Sequence, residues 1–336
     1  MPLFIPFIPI IGAGVVSTSL VYGMRRLAVL DHPNHRSAHS APIPKGGGIG
    51  IMLSFMLFYP FFGTLFRGYG WATLCVACAL GLLCGVSWLD DLYQYSPLVK
   101  LAAQCCAAVF VVCAGCLLVP LSPFLMIVAG VWLVFCMNAV NFMDGLNGLI
   151  AGCLFTGSVF LACCASFLGI VEIRGVALLF AASLAGFLPF NFPQARIFMG
   201  DVGSQGCGLL AGIAALFVAH FTSPNTPSGC LMGFALLFPL LYDVSLTLIR
   251  RAWRKQRLTQ AHREHFYQIF HQNGVAAPLI TLGEIALTLW SGSIALAVAR
   301  LPLHQGAPLL VVLLLLPQGL WSAWAFLRCS RSVKQA

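Results

Sequence analysis

Apolar stretches of about 20 residues, the length a helix needs to cross a bilayer core, follow one another almost end to end in this chain. Eleven can be marked out, at 3–23, 47–65, 71–89, 99–118, 123–142, 146–168, 175–192, 204–221, 229–249, 278–299 and 307–327. Such a pattern is expected to fold as an all-α polytopic integral membrane protein of about eleven transmembrane helices, with 1–336 forming a single domain. Charged side chains make up 8% of the residues, against roughly 25% in an ordinary soluble domain, which excludes a water-soluble globule. Intrinsic disorder needs low hydrophobicity and is excluded by the 60% hydrophobic content.

The net charge of +9 would point to nucleic acid in a soluble protein, but here the basic residues must first be placed against a bilayer, and no nucleic-acid partner is expected. No basic residue precedes the first window and Arg25-Arg26 follow it, the pattern of a retained anchor whose C-terminal end stays in the cytoplasm. With the N-terminus periplasmic, Arg25, Arg26, Arg36, Lys45, Lys100, Arg196, Arg250, Arg251, Arg254, Lys255, Arg257, Arg263, Arg328, Arg331 and Lys334 fall inside. Only Arg67, Arg174 and Arg300 fall outside, and fifteen against three fixes the expected orientation, with the C-terminus cytoplasmic.

The acids then gather on the same side without further assumption. Asp31, Asp90, Asp91, Asp144, Asp201 and Glu264 lie in inner loops or at inner helix ends, and only Glu172 is outside. Acidic residues contribute little to topology, so this one-sidedness points to a function on the cytoplasmic face. Asp90-Asp91 closes one window, Asp144 ends another within Asn138-Ala139-Val140-Asn141-Phe142-Met143-Asp144-Gly145, and Asp201 stands in Phe198-Met199-Gly200-Asp201-Val202-Gly203-Ser204. Carboxylates from three loops would repel one another unless a hard cation, Mg²⁺ or Mn²⁺, sat among them; such ions take oxygen ligands and keep waters or phosphates in their remaining positions. Asn138, Asn141 and Asp144 are spaced to share one side of a helix, with ordinary helix-end capping and packing as the alternative reading.

Lys45-Gly46-Gly47-Gly48 leads into the second window, where glycines would let backbone approach a phosphate, the helix start would offer free N–H groups and Lys45 would add charge. Upstream, His32, His35, Arg36 and His39 make the same loop unusually polar. The longest inner loop, 250–277, opens on Arg250, Arg251, Arg254, Lys255 and Arg257, expected to anchor topology against anionic lipid heads. It continues as His262-Arg263-Glu264-His265-Phe266-Tyr267-Gln268, where imidazole and guanidinium groups suit a diphosphate. His262 and His265 with Glu264 could alternatively hold zinc, though no further ligand is evident. Two acids lie deeper: Asp243, seven residues before Arg250, and Glu284, which has no evident partner in the sequence. Most of the 14 cysteines lie inside apolar windows, where they read as small hydrophobes.

Taken in order, these motifs resemble the polyprenyl-phosphate N-acetylhexosamine-1-phosphate transferases, also called glycosyltransferase family 4, over nearly the whole chain. The His-Arg-Glu-His-Phe-Tyr-Gln segment is more similar to the O-antigen-initiating branch than to the peptidoglycan-precursor branch. The resemblance implies transfer of a sugar-1-phosphate from a UDP-N-acetylhexosamine to undecaprenyl phosphate, with release of UMP, at the inner membrane of a bacterium, initiating a lipid-linked glycan such as O-antigen of lipopolysaccharide; a homodimer is compatible with it. Carried over by motif, Asp201 would be the principal Mg²⁺ ligand, Asp91 a metal partner and Asp90 a base or nucleophile. Asp144, Asn138 and Asn141 would line the diphosphate pocket, Lys45, Gly46 and Gly47 would bind substrate, and His262, Arg263 and His265 would hold the nucleotide-sugar phosphates. The active site would form from loops near 24–46, 90–98, 143–146, 193–203 and 250–277.

Two departures stand out. A DDxxD pattern begun at Asp90 reaches Gln94, which is neutral, and the residue before the triple glycine is Lys45 where this branch often has Arg. A secondary transporter is the rival expectation, but transporters place acids at depth, and no paired broken helices suggest inverted repeats here.

Overall fold

In the computed structural model, residues 7–27, 29–31, 42–66, 70–258, 260 and 262–335 are described. The polar run His32 to His39, with Arg36, and the outer Arg67 lie outside them. Helix α1 (Phe7–Leu27) leads to a two-stranded antiparallel ribbon, β1 (Leu30–Asp31) against β2 (Ile43–Pro44), pairing Leu30 with Pro44 and Asp31 with Ile43. Helices follow as α2 (Gly47–Phe58), α3 (Gly70–Tyr93), α4 (Pro97–Leu118), α5 (Pro123–Met143), α6 (Leu149–Leu168), α7 (Val171–Asn191) and α8 (Gly200–Phe221). The chain then runs through α9 (Met232–Trp253), a short α10 (Phe266–Gln272), α11 (Ala277–Val298) and α12 (Leu303–Gln335).

Ten helical segments among the described residues are long and apolar enough to cross a membrane, and α2 adds a shorter apolar one. Helices of this length bond their own backbone groups internally, which hydrocarbon demands of any spanning segment. The all-α polytopic expectation therefore holds, with one amendment. The window at 47–65 is α-helical only through Phe58 and then tightens into a 3₁₀ segment, Tyr59–Phe66, bent at Phe62. Pro60 supplies a physical reason, because its ring nitrogen cannot donate to the helical ladder.

Helix α8 is the most enclosed span and packs against α2, α3, α5 and α9. Small residues make this possible. A Cβ on Gly208 would meet Cys136 O of α5 at 2.6 Å, and one on Gly48 would lie 2.2 Å from Gly203 Cα. Helices in lipid gain cohesion from such close backbone approach. The consequence for function is positional: the most enclosed helix begins at Gly200-Asp201, so it carries a carboxylate rigidly to one end of the bundle.

Several helices also run further than their apolar windows. Helix α3 continues to Tyr93 and α8 starts at Gly200, so Asp90, Asp91 and Asp201 sit on terminal helical turns rather than in loops. The segment after Arg263 also condenses into the seven-residue α10, which hydropathy does not mark.

Candidate active site at one end of the bundle

The ends of α3 and α5 and the starts of α2, α4 and α8 meet at a single place. Lys100, in the first turn of α4 behind the helix-starting Pro97, places its Nζ 2.5 Å from Asp90 Oδ2 and 2.9 Å from Asp201 Oδ2. Lys45 donates to Asp91 Oδ1 at 3.1 Å and to the Asp91 backbone carbonyl at 2.8 Å. Asp90 is almost fully engaged, its Oδ1 accepting from Tyr95 N–H at 2.8 Å while Oδ2 faces Lys100. Asp91 differs: its Oδ2 is buried and accepts no hydrogen bond.

Asp144 caps α5 and joins this group electrostatically. Burial, and then the charges of Asp201 and Asp91, push its carboxyl well above the usual carboxylate range. The carboxylates of Asp90, Asp91 and Asp201 against two ammonium groups leave an excess of one negative charge beside the Asp144 carboxyl. The donors are all oxygen and one buried carboxylate oxygen is unpartnered, so the residues fit a hard divalent cation. Asp91, with its unpartnered Oδ2, and Asp201, whose charge acts on it, would be the groups to hold it. Among the described residues no three His, Cys, Asp or Glu side chains converge as a complete cage, so such an ion would complete its shell with water and phosphate oxygens, as Mg²⁺ commonly does.

Behind the charges runs a chain of amides. Gln205 Nε2 reaches Asp201 Oδ2 at 3.5 Å, Gln104 Nε2 donates to Gln205 Oε1 at 3.2 Å, and Asn138 Nδ2 donates to Gln104 Oε1 at 2.8 Å and to Val134 O. Gln104 and Gln205 are buried. Asn138 thus faces into the packing between α4 and α5, while Asn141 lies one turn nearer Asp144, whose N–H donates to the Asn141 carbonyl. Lys100, Gln104 and Gln205 were not among the residues expected to form the site. Their signal was available as polar side chains four apart, Lys100 with Gln104 and Asp201 with Gln205, inside otherwise apolar windows.

The glycine run requires a correction. Gly47 N–H donates to Phe198 O at 2.9 Å and Gly48 N–H to Met199 O at 2.8 Å, so these amides are not free to receive a phosphate. Gly47 carries no side chain because a Cβ would lie 2.4 Å from the Phe187 ring. Gly46 occupies the left-handed region at φ +96°, as does Gly200 at φ +74°, where a Cβ would stand 3.0 Å from Asp91 Oδ2. The glycines therefore dock α2 onto the Asp201 turn. Asn191 supports the same turn from α7, accepting from Gly148 N–H at 2.6 Å and donating to Ile197 O at 2.9 Å.

The sixth element is the segment from His262. Buried Asp243 on α9 lies 2.9 Å from His265 Nδ1 and accepts from Tyr267 N–H at 3.3 Å. A carboxylate only accepts, so Nδ1 carries the proton. His265 is accordingly sequestered, with Tyr267 stacked on one side and His262 5.0 Å away, ring centre to centre. Tyr267 Oη donates to Phe142 O at 3.0 Å, and its ring lies where a Cβ of Gly145 would be, beside Asp144. Burial, followed by Asp243 and Asp144, drives the Tyr267 hydroxyl upward. Burial, with His265 and Arg251 next, holds His262 down at about 4, so it is neutral at pH 7. Arg263 is partly exposed at the edge of this segment. The alternative zinc set is otherwise engaged: His265 with Asp243, and Glu264 with Arg251 at 2.6 Å.

The basic cluster expected to touch lipid divides in two. Arg251 is buried against Glu264 and the Arg257 carbonyl, and Arg250 reaches the Glu264 carbonyl at 2.5 Å. Arg254, Lys255 and Arg257 stay exposed beside Trp253, which is 86% exposed.

Comparison with known proteins bears on this geometry. Residues 71–219, from α3 through α8, match the family described as Glycosyl transferase family 4. A Bacillus subtilis (strain 168) protein named "Probable undecaprenyl-phosphate N-acetylglucosaminyl 1-phosphate transferase" is 30% identical over 255 residues, 72% of this chain and 69% of its own. The decaprenyl-phosphate N-acetylglucosaminephosphotransferase of Mycobacterium leprae (strain TN) is 30% identical over 331 residues, covering 85% of this chain and 81% of its own. The undecaprenyl-phosphate alpha-N-acetylglucosaminyl 1-phosphate transferase of Thermotoga maritima is 28% identical over 257 residues, covering 73% and 74%.

Proposed function

The chain belongs to glycosyl transferase family 4, and from that premise we propose that it transfers an N-acetylhexosamine-1-phosphate from a UDP-sugar to undecaprenyl phosphate at the cytoplasmic face of a bacterial inner membrane. The relatives named above act on undecaprenyl or decaprenyl phosphate and N-acetylglucosamine phosphate, which supports the substrate class. The observation that carries the proposal is the meeting of Asp90, Asp91, Asp144 and Asp201 with Lys45 and Lys100 at one end of a membrane bundle. Initiation of an O-antigen or related cell-surface glycan is the pathway role that the motif order suggests.

The reaction forms one bond and breaks one. An oxygen of the lipid phosphate bonds to the phosphorus carrying the sugar, and that phosphorus releases the bridging oxygen, which leaves on UMP. Phosphoryl transfer leaves little covalent work to protein, so catalysis rests on positioning and charge. A Mg²⁺ or Mn²⁺ ion held by Asp201 and Asp91 would neutralise charge on the diphosphate. Lys100 and Lys45 offset the repulsion among these carboxylates and add positive charge where phosphates must collect. Asp90, with both oxygens engaged, serves to fix Lys100. Asp144 lines the pocket beside Tyr267, and the His262 to His265 segment closes it, with Arg263 on its exposed side. The acceptor explains the membrane, since a polyprenyl chain stays among the helices while its phosphate reaches their ends.

The test is release of UMP by membranes containing the protein. It should require a UDP-N-acetylhexosamine, a polyprenyl phosphate and a divalent ion together. No release across a panel of such donors would overturn the proposal.

A further inference from the structure

Glu284 is a carboxylate buried within α11, 1% exposed, and the proposed chemistry does not use it. An acid at such depth is costly and calls for a specific partner. That partner is Trp321 of α12, whose Nε1 donates to Glu284 Oε1 at 3.0 Å. The preceding residue completes the fit, because a Cβ on Gly283 would come within 2.8 Å of the Trp321 ring. Gly283 and Glu284 together form a slot with room for an indole and an acceptor for its N–H. A buried indole N–H ordinarily finds such a partner.

The held indole does not end in lipid. Trp321 and Trp324 bracket Phe270 of α10, with ring centres 4.4 and 4.7 Å away, and Phe270 is fully buried. Phe326 of α12 packs edge-on against Phe266 at the start of α10, 5.5 Å between centres. A seven-residue helix cannot persist by its own hydrogen bonds in water, so α10 depends on these clamps. Its first turn carries Tyr267 and is capped by His265, the two groups that Asp243 fixes beside Asp144.

We propose that Glu284 is a positioning residue which, by fixing the Trp321 indole in the Gly283 slot, locks α10 and so sets the His265–Tyr267 wall of the pocket from within the membrane. The kinetic consequence rests on the transfer reaction proposed above. Glu284 Oε2 accepts no bond, so a glutamine amide in its place preserves the Oε1 acceptor and should preserve the lock.

The experiment compares wild type, Glu284→Gln, Glu284→Leu, Trp321→Phe and the Glu284→Leu/Trp321→Phe double variant in detergent. Glu284→Leu and Trp321→Phe should each raise KM for the nucleotide-sugar about tenfold, the loss expected of one hydrogen bond to an acidic group, with kcat within about twofold. The double variant should be no worse than either single one, because both remove the same interaction. Glu284→Gln should behave as wild type. Hydrogen exchange of 266–272 should quicken in Glu284→Leu and Trp321→Phe but not in Glu284→Gln. Unchanged KM and exchange, independent effects that multiply, or a Glu284→Gln variant as impaired as Glu284→Leu would overturn the lock. If Glu284→Leu fails to fold, Trp321→Phe, which keeps an aromatic side chain while removing the indole N–H, decides the matter by exchange. A wild-type protein inactive on every donor would sink the transfer reaction, and the exchange comparison alone would then judge the lock.

Discussion

Lys100 and Asp201, 101 positions apart in the chain, meet at 2.9 Å with the ammonium shared by Asp90. The ammonium stands among carboxylates where a divalent cation would also gather, so ammonium and metal would compete for the same oxygens. Lys100→Met should lower kcat by about a hundredfold, the scale of losing one preorganised electrostatic group. It should also let Mg²⁺ raise the melting temperature at lower concentration than in wild type, because one counter-charge has gone. A thermal-shift titration with Mg²⁺ checks the second effect without any substrate.

Asp201→Asn should abolish UMP release while leaving the amount of protein inserted in membranes unchanged. Asp91→Asn should act similarly, since it neutralises the carboxylate whose Oδ2 has no protein partner. Near-normal turnover of either variant, measured by UMP release, would remove that residue from the cation.

Much of this arrangement could be read from the residue order. Asp90, Asp91, Asp144 and Asp201 were identifiable as acids at the ends of apolar windows, and the structure brings them together. What escaped was pairing. Nothing in the order of residues says that Lys100, counted only as a topology signal, turns back onto Asp90, or that Arg251 is buried against Glu264 rather than facing lipid heads. The glycines misled for a related reason: a run that suits phosphate also suits another backbone, and only tertiary contact tells Phe198 O from an anion. His265 likewise carries no mark of its bond to Asp243, 22 positions earlier.

Gly48→Ala should destabilise the fold severely. Its Cβ would fall 2.2 Å from Gly203 backbone atoms, which cannot swing aside as a flexible side chain would. Overpacking of this kind costs about 1–3 kcal/mol or more. Gly85→Ala, with nothing within 4 Å of the added carbon, is the matched control and should melt like wild type. Thermal denaturation in detergent separates the two.

Stability should fall on mild acidification, partly through His262. Its folded pKa is held at about 4 by burial and the neighbouring His265 and Arg251, below the ordinary value of 6.5. Between those values the unfolded chain binds a proton that the folded chain refuses, so stability is present above pH 6.5 and drains away as the pH drops toward 4. His262→Gln removes this contribution, and its melting temperature should decline less than that of wild type between pH 7 and pH 5.

The orientation proposed from the basic residues is open to labelling. Gln256→Cys, in the exposed stretch after α9, should react with a membrane-impermeant maleimide in inside-out vesicles, above the background of native thiols. Gln305→Cys, near the start of α12, should react only in right-side-out vesicles. The reverse pattern would invert the assigned topology.

The bonds from Gly47 and Gly48 to Phe198 and Met199 also carry a consequence for biogenesis. A nascent chain emerging through a translocon has laid down α2 long before α8 exists, so the ribosome must synthesise some 150 further residues before the early helix can find its seat. A polypeptide released by a stalled ribosome before α8 lacks Asp201 and the turn that seats α2, so the proposed site can assemble only once both halves of the bundle have been delivered.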